Sequence, residues 1–124
     1  MKTSTRLCLI GALSLMMGTA SVGTALAAYG SIAFSPKTGA YGYSHGSASR
    51  SLADQTALRH CRKHAADCKV VVYVQNACAA LAVGKGRSYG YGWSGTRAAA
   101  EKIAMKECSS RTSACRIRSW ICSG

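Results

Sequence analysis

Two cysteine pairs at one spacing constrain this chain more than any other feature. Cys61 and Cys68 lie seven positions apart, and so do Cys108 and Cys115. The segments around them also match: "YGYSHGSASRSLADQTALRHCRKHAADCKVVVYV" from Tyr41 runs beside "YGYGWSGTRAAAEKIAMKECSSRTSACRIRSWI" from Tyr89. After a one-residue slip, an offset of 47 aligns Ser49 with Thr96, Arg50 with Arg97, Ala57 with Ala104 and Tyr73 with Trp120. A match at fixed offset marks a repeated structural unit. Whatever one copy folds into, the other must be able to fold into as well.

Each copy reads as β-β-α-β. "GSIAFSPKTGAYGYSHG" is a strand, a Pro-Lys-Thr-Gly turn and a second strand, and "AALAVGKGRSYGYGWSG" repeats it around Gly84-Lys85-Gly86. Ser49 and Thr96 are natural N-caps, so helices are expected over about 50–64 and 97–111. Asp54 and Glu101 lie early in them, with Arg62, Lys63, Lys106 and Arg111 late, as the helix dipole favours. Small residues share one face of each helix: Ala53, Ala57 and Cys61, then Ala100, Ala104 and Cys108, flanked by Leu58 and Met105. "CKVVVYVQ" is apolar on both faces and is expected to be a central strand. "CRIRSWIC" alternates Ile117, Ser119 and Ile121 with Arg116, Arg118 and Trp120, the pattern of a half-exposed strand. The fold class is therefore α+β: a tandem duplication of a β-β-α-β unit, with mainly antiparallel sheet and two helices.

Ahead of the repeats stands a leader. Lys2 and Arg6 precede the apolar run Leu7 to Met17, and "ALA" at 25–27 supplies a small-x-small cleavage pattern. A signal peptide over 1–27, cut after Ala27, leaves one exported domain over 28–124. Repeat one covers about 29–77 and repeat two about 78–122. An uncleaved anchor is the rival, since 7–28 carries no charge, but its second half is too weakly apolar to be favoured. No later segment could anchor the chain, so the localisation expected is secreted or periplasmic.

Export fits the cysteines. Cys8 leaves with the leader, and an even six remain: Cys61, Cys68, Cys78, Cys108, Cys115 and Cys122. Six cysteines in a small exported domain imply three disulfides, with fifteen connectivities open in principle. The repeat favours Cys61–Cys68 and Cys108–Cys115 as equivalent loops, leaving Cys78 to pair with Cys122. Cross-repeat pairings would respect the symmetry too.

Without Lys2 and Arg6, fourteen basic residues face Asp54, Asp67, Glu101 and Glu107, a net charge of about +10. Such an excess favours anionic partners, whether glycan, lipid head group, nucleic acid or acidic protein, and it also keeps an exported protein soluble. The candidate ligand-binding residues are the aromatic rows Tyr41, Tyr43, Tyr89, Tyr91 and Trp93 and the basic residues Arg62, Lys63, Arg116 and Arg118. Rings interleaved with cations suit stacking against a phosphate-bearing strand. Solvated helix faces are the plainer account of the charges. For the rings, volume complementarity with the alanine stripes favours a place in the core. The alternative lets the intervening glycines face the helices and turns the rings outward.

Catalysis finds less support. His60, Cys61, His64 and Cys68 resemble a metal set, but the second copy has Glu107 and Arg111 at the histidine positions and disulfides would consume the thiols. His45, His60 and Lys63 could serve a ribonuclease, yet no spacing supports it, and no G-x-S-x-G elbow is present. No catalytic residue, metal or cofactor is expected.

The stretches "YGSIAFSPKTGAYGYSHG", "ADCKVVVYVQNACAALAVG", "YGYGWSGTRAAAE" and "CRIRSWIC" resemble the bacterial domain-of-unknown-function 4189 family from Tyr29 to Cys122. The resemblance implies a small exported protein of one compact disulfide-containing domain. It implies no established reaction and supplies no catalytic residues, although some exported members are suspected of acting on host cells. The expectation is a non-enzymatic binding or envelope/host-interaction protein for anionic partners. The alternatives are a small secreted effector or hydrolase, for example a nuclease, or an enzyme inhibitor.

Overall fold

The computed structural model describes Gly18 and residues 28–124; the expected leader, Gly18 apart, and its cleavage site lie outside the described residues. The order is β1 (Tyr29–Phe34), β2 (Tyr41–Ser47), α1 (Arg50–Arg62), β3 (Lys69–Gln75), β4 (Ala77–Val83), β5 (Tyr89–Ser94), α2 (Arg97–Ser109) and β6 (Arg116–Ser123). The β-β-α-β unit thus occurs twice. Each copy makes its own antiparallel three-stranded sheet, ordered β2-β1-β3 and β5-β4-β6. The hydroxyls of Ser49 and Thr96 cap the helices, accepting from Leu52 N at 3.2 Å and Ala99 N at 3.3 Å.

The two sheets face one another. Ile32, Phe34, Val72 and Val74 of the first meet Ala79, Leu81, Val83 and Ile121 of the second in the main core. Full burial of Phe34, Ile32 and Leu81 contributes about 2 kcal/mol each. The helices close the outer faces. Ala57 and Cys61 of α1 pack on Ala33, and Ala100, Ala104 and Cys108 of α2 pack on Ala80 and Ala82. Three disulfides join Cys61 to Cys68, Cys108 to Cys115 and Cys78 to Cys122.

The core placement favoured for the aromatic rows is overturned. Along β2 and β5 it is Gly42, Ser44, Gly90 and Gly92 that are buried, while Tyr41, Tyr43, Tyr91 and Trp93 stand in solvent. The reason is backbone proximity. A Cβ on Gly42 would come within 2.2 Å of Ala57 O, and one on Gly90 within 2.2 Å of Cys108 N. The alanine stripes therefore seat each helix directly on a glycine strand, with no room left for rings. Tyr89 alone turns inward, meeting Phe34 edge-on with centroids 5.1 Å apart.

β3 is also not central, since it pairs only with β1 and lies at a sheet edge. Apolar residues on both faces report cover from both sides, not neighbours on both edges. Val72 and Val74 face the other sheet, whereas Tyr73 is exposed. From β3 the chain passes into β4 through a single residue, Asn76, whose positive φ of 50° suits asparagine. Asn76 N donates to Ala28 O at 2.9 Å, and Ala28 N donates to Asn76 Oδ1 at 3.1 Å.

Candidate functional site

Because the sheets stack with β2 beside β6 and β3 beside β5, each edge of the sandwich is built from both repeats. Along the first edge runs a groove of about 450 Å³. Tyr41, Tyr43 and His45 of β2 form one wall, and Arg118, Trp120 and Cys122 of β6 the other. Tyr41 and Tyr43 continue into an adjoining hollow of about 490 Å³ that reaches His60, Lys63 and His64 at the end of α1. All three histidines of the sequence thus border one surface. No acidic residue lines either hollow. The Arg97 guanidinium lies over the Trp120 ring, 3.7 Å from its centroid, and is held by Glu101 Oε1 at 2.8 Å.

Across the molecule the equivalent surface has different chemistry. Trp93, 63% exposed, divides a hollow of about 270 Å³ shared with Tyr73, Gln75 and Ala77 from one of about 400 Å³ shared with Tyr91, Ile103, Glu107 and Arg111. Arg50 lies 3.6 Å over Tyr73 and pairs with Asp54 at 3.4 Å, matching Arg97, Trp120 and Glu101. Where the first face has His45, His60 and His64, this one has Trp93, Glu107 and Arg111.

The residues singled out from sequence therefore divide. Tyr41, Tyr43, Lys63 and Arg118 come together on the first face. Tyr91 and Trp93 lie on the second, and Tyr89 belongs to the core. Arg62 lines a separate hollow on the outer side of α1 with Arg59 and Leu58. Arg116 is exposed at the start of β6, and neither groove includes it. Trp120 and Tyr73 also belong to these faces; their alignment at one offset is visible in the sequence, but each stands alone in its strand, so no aromatic row marks it. His45 and His60 stand beside the same two tyrosines, His45 in the groove and His60 in the adjoining hollow. Cys61 and Cys68 are bonded to each other, so neither is a thiolate ligand beside His60 and His64.

One carboxyl has a shifted titration. A hydrogen bond from the Ser35 hydroxyl holds Asp67 below the usual carboxylate range, assisted by the Lys37 backbone N–H and charge and opposed by desolvation. This joins the β1–β2 turn to the loop after α1. Among the described residues, no helix is long and apolar enough to cross a membrane.

Two β-β-α-β units packed sheet on sheet, three disulfides and an open aromatic groove at either edge define a small two-repeat α+β module. The chain belongs to the family described as Domain of unknown function (DUF4189), which it matches over residues 29–122. It is similar to Rv1813c from Mycobacterium tuberculosis, whose NMR structure is 26% identical, with a TM-score of 0.57 and 98% of each chain covered. No curated protein matches it significantly.

Proposed function

We propose that this chain is an exported, non-enzymatic binding protein that holds an anionic partner on its first face. One observation carries the reading: Tyr41, Tyr43 and Trp120 open to solvent in hollows bordered by Lys63 and Arg118 and lined by no acid. Rings supply stacking area, the cations supply charge complementarity, and the surrounding excess of lysine and arginine draws polyanions from a distance. Three disulfides suit an oxidising compartment outside the cytosol.

The purified, oxidised protein should be retained on immobilised heparin, single-stranded DNA or phosphatidylglycerol vesicles, with log affinity falling linearly in log salt. K63A/R118A should weaken that retention about tenfold or more, and the preferred matrix names the partner class. Absence of retention on all three at low salt overturns the proposal. Turnover of RNA or peptidoglycan that disappears in H45A or H60A would replace it with a hydrolase.

A further inference from the structure

The second face is a chemically diverged copy of the first. Its charges are mixed: Arg111 and Glu107 line one hollow, Gln75 is the polar group of the adjoining one, and Arg50 beside Tyr73 is paired with Asp54. Polyanion attraction is therefore weak here, and a bare apolar contact does not describe the face either, because planar polar side chains alternate with the rings. Tyr73, Tyr91 and Trp93 are all substantially exposed. They are also held in place. Tyr91 and Trp93 project from one strand whose opposite side is pinned to α2 at Gly90 and Gly92. Tyr73 has Arg50 packed over one ring face, and Arg111 Nη1 donates to Tyr89 O at 3.3 Å.

Pyranose rings present a face of C–H groups edged by hydroxyls. Such a ligand needs a flat exposed aromatic beneath it and amide, carboxylate and guanidinium groups at its rim. It carries no charge to be matched. We propose that the Trp93 face is a second binding site, for an uncharged pyranose polymer whose successive sugars lie over Trp93 and extend toward Tyr73 and Tyr91. Trp93 is shared by both hollows, so the chain crosses it rather than ending on it. Tyr73 and Gln75 come from β3 while Tyr91, Trp93 and Glu107 come from the second repeat, so the site exists only where the repeats meet. A membrane surface would be matched by basic residues without Glu107. A protein partner would favour one continuous apolar patch over two shallow hollows parted by a single ring.

The test uses the oxidised protein on insoluble cellulose, chitin and amylose, each uncharged. Retention is expected on at least one, persisting at about 0.5 M salt, where screening removes heparin retention. W93A should lower it roughly tenfold, the loss typical of one stacking ring, with an unchanged unfolding midpoint because the ring is exposed. Q75A should reproduce part of the loss without touching a ring. Retention on none of the three polymers overturns the proposal, as does retention that W93A leaves intact. So does a W93A effect that follows a change from dimer to monomer, or one seen only on lipid vesicles. Absence of retention on heparin, single-stranded DNA and phosphatidylglycerol vesicles overturns the first-face reading and leaves this one standing, so the two can fail separately.

Discussion

The two repeats build one architecture with different contacts at a few matching positions. In repeat one, Ser31 pairs across the sheet with Ser44. Ser44 Oγ accepts from Ser31 N at 3.1 Å and donates to Ala53 O at 2.7 Å, while Ser31 Oγ donates to Asp54. In repeat two the corresponding pair is Ala80 with Gly92. There is no hydroxyl and no space for one, because a Cβ on Gly92 would stand 2.6 Å from Ala100 O. The turns differ in the same way. Ser35 donates to Asp67 in repeat one, whereas Gly84 lies so near the loop after α2 that a Cβ would meet Ser113 O at 2.6 Å. Both repeats seat a helix against a strand glycine, Gly42 and Gly90. Both also tie the turn to the loop by hydrogen bonds, Thr112 Oγ1 donating to Lys85 O at 2.9 Å in repeat two. What differs is the serine pair in repeat one and the second disulfide in repeat two. At the aligned position Ser44/Gly92, repeat one bridges strand and helix through a hydroxyl, whereas repeat two leaves no room for a side chain.

The disulfides offer the largest break in this comparison. Cys78–Cys122 closes 44 residues and lies wholly within repeat two, against seven for Cys61–Cys68. In the chain-entropy model C78A/C122A should cost about 4 kcal/mol and C61A/C68A about 2, measured by urea unfolding. Equal costs would refute the assignment of extra covalent support to repeat two.

Exchanging the two devices should come next in size. Gly92→Ser forces atoms against the Ala100 carbonyl and should lose about 3 kcal/mol. Ser44→Ala clashes with nothing but removes the hydroxyl that accepts from Ser31 N and donates to Ala53 O, for about 1–2 kcal/mol. A harmless Gly92→Ser would show that the close approach of strand β5 to Ala100 O is not what excludes a side chain there.

The smallest effect is acid sensitivity confined to repeat one. The folded-state pKa of Asp67 is depressed, so its contribution is present above the unfolded-state value and disappears as pH falls through the lower folded value. Below about pH 4 the wild type should lose an increment of stability that D67N no longer has to lose. Repeat two carries Ala114 at this position and has no matching term. Parallel acid profiles for the two proteins would exclude the Ser35–Asp67 bond as the source.

The repeat, both caps, both helices and the β-β-α-β order could be read from the chain because each rests on local signals that recur in register. The face taken by the aromatic rows could not. Glycine on one side and tyrosine on the other is compatible with either orientation until the helix-to-strand distance is known, and the alanine stripes fix that distance only once packed. Strand β3 misled for a related reason, its apolar residues reporting the layers above and below it. The first face is half legible: the chemistry of Tyr41, Tyr43, Lys63 and Arg118 is plain in the sequence, but their meeting depends on β2 lying across from β6. That juxtaposition arises from sheet stacking, which no spacing within a single repeat encodes.

The passage through Asn76 carries a consequence for what one half of the molecule could be. No disulfide crosses it, so cutting the chain there would leave two closed halves, one cross-linked once and the other twice. Viewed in this way the protein is a tethered pseudo-dimer whose subunit interface is the layer of Ile32, Phe34, Leu81 and Val83. Each groove opens on the rim of that interface and takes one wall from either side. A ligand in either groove would act as a clamp across the seam, and a lone repeat would offer only half a cleft.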